Sequence, residues 1–149
     1  MELQNARHVL DGPRQRTPGQ GLAIRSQRNI IYDMQWGSVE AEPEVLEWLF
    51  GLSDAEFGRA AFYVDLLEEE GVLLGEPYTR QLRGKLRELR FYLGRSRFRI
   101  SYFVTTDRRI ILLTVFHKQA AQESREIRRA LDAMDRCIRE KHVAPQGDD

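Results

Sequence analysis

Residues 97 to 105 read Arg-Phe-Arg-Ile-Ser-Tyr-Phe-Val-Thr, and the alternation constrains how they fold. Phe98, Ile100, Tyr102 and Val104 fall on one face of an extended strand, with Arg97, Arg99, Ser101 and Phe103 on the other. Turn signals bracket the run, Gly94-Arg95-Ser96 before it and Thr106-Asp107-Arg108 after it. Leu86 to Leu93 precedes it as another strand. Ile110 to Lys118 follows as a third, so nearly continuous in apolar residues that both its faces are expected to be buried. Three consecutive strands joined by tight turns make an antiparallel meander. The rest of the chain must cover it.

Helical patterns supply the cover. Pro43 suits a first helical turn, and Val45, Leu46, Leu49, Phe50 and Leu52 give that helix an apolar side. Ser53-Asp54-Ala55-Glu56 is a capping-box pattern opening a second helix, striped by Phe57, Ala60, Ala61, Val64 and Leu67 and ended by Gly71. Glu76 to Gly84, with Pro77 and Gly84, reads as a loop. Ile127, Ala130, Leu131, Met134 and Ile138 mark a final amphipathic helix from about Glu123 to Lys141, and Gln35 to Ala41 fits an edge strand. The fold class is therefore α+β: a three-stranded antiparallel meander plus an N-terminal edge strand, packed against an αα-hairpin and a C-terminal helix. In this arrangement the hairpin covers one face and leaves the other concave and exposed.

At 149 residues and 42% hydrophobic, the chain suits one packed domain. Gly12-Pro13, Pro18-Gly19 and Gly21 interrupt any periodicity near the start. Residues 1–33 are expected to be a flexible extension, 34–142 the domain and 143–149 a frayed tail. Cys137 is the only cysteine, which excludes an intrachain disulfide and Cys-rich zinc sites. Residues 1–28 hold no apolar run of signal-peptide length, and Ile110 to Phe116 is too short to span a bilayer. A cytoplasmic protein with no membrane role and no metal or other cofactor is the expectation.

Charge narrows the partner. Acids and bases balance at 23 each, yet they are segregated. From Arg80 to Lys118 stand eleven cations and only Glu88 and Asp107 as acids; from Asn29 to Thr79 stand twelve acids and Arg59. Cations held on a sheet attract phosphate.

Three segments then carry a resemblance. Leu86-Arg87-Glu88-Leu89-Arg90, Arg97-Phe98-Arg99-Ile100-Ser101-Tyr102-Phe103 and Leu112-Leu113-Thr114-Val115-Phe116-His117-Lys118 resemble the HigB branch of the RelE/ParE toxin superfamily, often described as phage-derived Gp49-like protein. The likeness runs from about Trp36, through the Trp48 helix, to Lys141. It implies a RelE-like α+β fold and a type II toxin that cleaves mRNA on the ribosome. It also implies a cognate helix-turn-helix antitoxin of the HigA/Xre-like kind. Two departures stand out: the second Lys of the family's Phe-x-Lys-Lys pattern is Gln119, and its usual Thr-Pro reads Glu123-Ser124. A ParE-like gyrase inhibitor and a non-catalytic partner-binding module remain the alternatives.

RNA cleavage by the 2′-hydroxyl needs a base, cations for the phosphate dianion and a proton donor for the 5′-oxygen. Arg99 sits on the polar face of its strand; Arg90 shares a face with Glu88 and Tyr92 on the next. If those faces coincide, a phosphate fits between the guanidiniums. Arg90 can equally be a solvated partner of Glu88 or of a hairpin acid. Lys118, at a strand end, is matched by the family pattern to a functional cation. His117 is a second candidate acid or base, against the commoner packed strand histidine. Arg87, Arg95, Arg97, Tyr92 and Gln119 are the expected RNA contacts, and Tyr102, alternating with Phe98 and Ile100, is expected in the core. Cys137 is expected to be inert.

Overall fold

The computed structural model describes residues 36–140; the expected extension and tail lie outside them. The order of elements is β1 (Ser38–Ala41), α1 (Pro43–Phe50), α2 (Asp54–Glu70), β2 (Thr79–Arg83), β3 (Leu86–Leu93), β4 (Ser96–Val104), β5 (Arg109–His117) and α3 (Glu123–Arg139). Single 3-10 turns follow α2 and precede α3. One five-stranded sheet runs β1-β5-β4-β3-β2. β1 is the expected edge strand and joins parallel to β5, while the other pairs are antiparallel.

The class is α+β, compatible with a RelE-like fold, and the meander has four strands rather than three. Thr79–Arg83, expected as part of a loop, is β2. Its sequence, Thr-Arg-Gln-Leu-Arg, lacks the apolar run that marks β5. The reason is its edge position: Thr79 is buried and Leu82 packs on the α3 side, while Arg80, Gln81 and Arg83 face solvent. Gly84, at φ 58°, starts the two-residue turn to β3, as Gly94, at φ 63°, does between β3 and β4.

The capping box that opens α2 is complete. Ser53 Oγ accepts from the Glu56 N–H, and Glu56 Oε1 accepts from the Ser53 N–H. Gly71 ends the helix at φ 55°, where an added Cβ would lie 2.0 Å from Trp36. Trp36 is in turn covered by the Arg108 guanidinium, 5.1 Å from its ring centroid.

Both faces of the sheet are covered, which corrects the expectation of one fully open face. The α1–α2 hairpin packs Val45, Leu49, Ala60, Val64 and Leu67 on Leu89, Phe91, Ile100, Tyr102 and Leu112. Opposite, α3 lays Ala130, Ala133 and Cys137 on Leu86, Phe103, Ile111 and Leu113. β5 is thus buried on both faces, as its apolar run required. The cover by α3 is partial. It leaves open the end of that face where β3 and β4 carry Arg90, Tyr92 and Arg97.

The first helix of the hairpin and α3 also meet around the sheet. Beyond Leu112, β5 has no neighbouring strand on the β1 side among the described residues. Glu44 of α1 accepts from the Val115 N–H at 3.0 Å, Arg129 of α3 donates to the Val115 carbonyl at 3.1 Å, and the two side chains pair at 2.7 Å. The bare strand edge is closed by an ion pair.

Candidate functional site

The register between β3 and β4 decides which cations meet. Arg90 lies opposite Arg99, Tyr92 opposite Arg97 and Glu88 opposite Ser101. Alternation then places Glu88, Arg90, Tyr92, Arg97 and Arg99 on one face, the face α3 leaves partly open. The two guanidiniums expected to share a face do so.

Their shared anchor is Glu88. Its Oε2 lies 3.4 Å from Arg99 Nε and 3.8 Å from Arg90 Nε. Glu88 and Arg99 are each only 4% exposed. Burial pushes the Glu88 carboxyl above its ordinary pKa, against the pull of Arg99, Arg80 and Arg90. Burial likewise lowers Arg99, against the support of Glu88. Among the described residues, neither Arg90 Nε nor Arg99 Nε makes a hydrogen bond, although both atoms are buried. Arg99 Nη1 donates to the Phe98 carbonyl at 3.2 Å. The arginines are thus held in place by a carboxylate without being fully satisfied by it. Arg99 is a buried ion-pair partner as well as a candidate for chemistry, which its strand-face position did not reveal.

A second anchor is Glu123, at the start of α3. It pairs with Lys118 at 3.0 Å through Oε1 and with Arg80 at 3.0 Å through Oε2. The hydrogen bond from Lys118 holds the Glu123 carboxyl below its ordinary pKa, with Lys118, Arg80 and Arg99 adding their charge. The Lys118 N–H donates to the Arg97 carbonyl, so β5 ends beside Arg97. The Lys118 side chain is 16% exposed. The pair Glu123-Ser124, where the family pattern has Thr-Pro, therefore brings a carboxylate to the expected lysine.

A cavity of about 300 Å³ opens at the β3 edge beside this face, lined by Tyr63, Pro77, Tyr78, Arg90, Phe91, Tyr92, Arg97 and Arg99. Its walls bring together three of the expected arginines and Tyr92, with no carboxylate among them. Phosphate fits such a lining through charge-assisted hydrogen bonds.

Other expected residues stand elsewhere. His117 lies opposite Phe98, on the hairpin side of the sheet, with ring centroids 5.2 Å apart. It is exposed and faces away from the arginine pair, because it is one residue out of phase with Lys118. Arg87 also turns to the hairpin side, where Nε donates to the Tyr102 hydroxyl at 3.3 Å and Nη2 to Thr79 Oγ1 at 3.2 Å. That makes it a brace for the buried Tyr102. Arg95 is exposed in the β3–β4 turn, and Gln119 is exposed just past β5. Cys137 is buried, its thiol pushed up to about 12 chiefly by that burial. Sequence reasoning passed over Tyr78 and Glu123, and treated Glu88 only as a surface partner. The place of Glu123 in the first turn of α3 and the phase of Glu88 with Arg90 were the available signals. Among the described residues no three His, Cys, Asp or Glu side chains are grouped as metal ligands.

The family model of phage derived protein Gp49-like matches residues 47–135, more than half of the chain. The protein belongs to the Gp49-like family. That family lies within the RelE/HigB-like toxin superfamily, so the resemblance drawn from the three strand segments holds. Comparison with the curated proteins returns no match. Gp49-like proteins are commonly toxin-like, of the type that pairs with an antitoxin. The matched stretch includes the second half of α1, all of α2, every strand of the meander and most of α3. Among the described residues, no helix is long and apolar enough to cross a membrane.

Proposed function

We propose that this Gp49-like protein is an mRNA interferase, a toxin that cuts mRNA on the ribosome in the cytoplasm until a helix-turn-helix antitoxin covers its basic strands. The observation that carries this reading is the in-register pair Arg90 and Arg99 beside the open cavity. Two guanidiniums side by side can hold the non-bridging oxygens of one phosphate and stabilise the dianion that forms as the 2′-oxygen attacks. Lys118 adds a third cation at the end of the neighbouring strand, once it turns from Glu123 toward the substrate. Glu88 acts as a positioning residue, fixing both arginines before RNA arrives, so little reorganisation is left to the reaction. Arg97 and Arg95 extend the cationic track along the backbone of the RNA. An antitoxin that lays acids over this track would block it, and its affinity should fall with salt more steeply than a neutral net charge suggests.

The test is induction of the protein in bacteria with RNA 5′ ends mapped genome-wide, beside a gyrase supercoiling assay. New 5′ ends within translated messages, lost in Arg99→Ala, support the nuclease. Inhibited supercoiling with unchanged RNA would replace it by the ParE-like activity. Neither effect, with an antitoxin still bound, would leave a non-catalytic binding module.

A further inference from the structure

The cavity beside the arginines has a feature that phosphate binding leaves unused: it is walled by tyrosines. Tyr92 is 54% exposed and Tyr78 is 40% exposed, and both residues line the same space as Arg90, Arg97 and Arg99. Single exposed aromatic residues are ordinary on a protein surface. Two that converge on one cavity with three guanidiniums are not explained by scatter. Tyr78 is backed by Tyr63 at 6.4 Å between centroids, and Tyr63 is stacked on Phe91 at 5.4 Å and 18°. That column fixes one wall. Tyr92 makes no ring contact of this kind among the described residues and stands on the arginine face, opposite Arg97 in register. The cavity also sits where the sheet edge is open. β2 pairs with β3 only as far as Leu89, and the Tyr78 carbonyl takes the Arg90 N–H just beyond. Past that point no strand among the described residues flanks β3 on this side.

We propose that this cavity takes one unstacked nucleobase of a single-stranded nucleic acid between Tyr78 and Tyr92, while Arg90, Arg97 and Arg99 hold the adjoining phosphate. The inference rests on the RNA reading of the same face and deepens it by naming a base subsite and the residues that form it. Its volume, about 300 Å³, is at the small end of ligand cavities, suited to a ring rather than a large ligand. Aromatic faces stack any base, and guanidiniums pair with phosphate, which is the chemistry of single-strand recognition. Bases within a duplex are already stacked and cannot enter.

The test is anisotropy of a labelled 2′-O-methyl single-stranded oligoribonucleotide, which lacks the attacking hydroxyl, on the full chain. Its affinity is compared with an abasic strand of equal length and charge and with a duplex. Wild type should prefer the base-bearing strand by about five- to 150-fold over the abasic one. Tyr92→Ala and Tyr78→Ala should each remove most of that preference and leave abasic binding unchanged, while Tyr92→Phe keeps it. Equal affinity of wild type for both strands, or a tyrosine variant that weakens both alike, overturns the inference. The outcome is separable from the nuclease reading. Base-selective binding with no RNA cut in cells would keep the subsite and remove the nuclease; cleavage with no base preference would do the reverse.

Discussion

The same face of the same strands is built in two ways. Toward one end, Leu86, Phe103, Ile111 and Leu113 lie dry beneath α3. Toward the other, Glu88, Arg90, Arg97 and Arg99 occupy equivalent alternate positions with only part of a cover. In the first half, burial of apolar surface supports the fold. In the second, burial raises Glu88 and lowers Arg99, so the sheet holds two charges at some cost to its own stability. Charge kept where apolar packing would be cheaper is a mark of function, and mutations can separate the two halves.

Among changes that strand no charge, the largest effect belongs to the dry half. Phe103 is fully buried, and Phe103→Ala should cost roughly 3–5 kcal/mol in urea unfolding through the cavity it leaves. Tyr92→Ala, on the open half, should stay within about 0.5 kcal/mol. Equal losses would erase the distinction between the halves.

Arg99→Ala sharpens the comparison because it touches both stability and chemistry. It leaves Glu88 buried with Arg90 at 3.8 Å as its nearest counter-ion, a loss of roughly 3–5 kcal/mol. Cleavage should fall about ten- to a thousandfold, judged on the folded fraction. The double variant Glu88→Met with Arg99→Met should recover most of the stability, since no charge is left behind, and none of the cleavage. Recovery of both would make the pair purely structural. A smaller effect on cleavage, with little on folding, is expected for Lys118→Ala, and a smaller one still for His117→Ala, which lies on the other face. An equal loss for His117→Ala would show that the reaction reaches around the strand end.

How much of this was legible follows the same division. Strands β3, β4 and β5 could be read within a residue or so because one or both of their faces pack apolar side chains, and that imposes period two or an apolar run. β2 was not legible, since an edge strand with one wet face leaves only Thr79 and Leu82 as signals. The meeting of Arg90 and Arg99 depended on strand register, which alternation permits but does not fix. The position of Glu123 over Lys118, and of Tyr78 on the same cavity as Tyr92, depended on how α3 and the approach to β2 return to the sheet. Such long-range placement has no local pattern.

The smallest effect concerns the two acids of the open half, which should respond to pH in opposite directions. The Glu123 carboxyl is held below its ordinary pKa, first by the Lys118 hydrogen bond. A group depressed in this way stabilises the fold above its unfolded-state pKa and loses that contribution as pH falls through the depressed value. Glu88 is raised by burial, so its contribution is fullest below the ordinary glutamate pKa and is lost as pH rises through the raised value. Glu123→Gln should therefore lower the Tm at neutral pH by roughly 1–4 °C, as a partly exposed pair allows, and the gap should close under acid. Added salt should narrow it too, because the contact is partly screened. Cleavage should be retained, since Lys118 is then free to reach a phosphate without leaving a carboxylate. A Tm gap that widens in acid would mean that Glu123 does not hold Lys118 in solution. Lost cleavage in Glu123→Gln would instead show that the lysine needs its carboxylate in place to act.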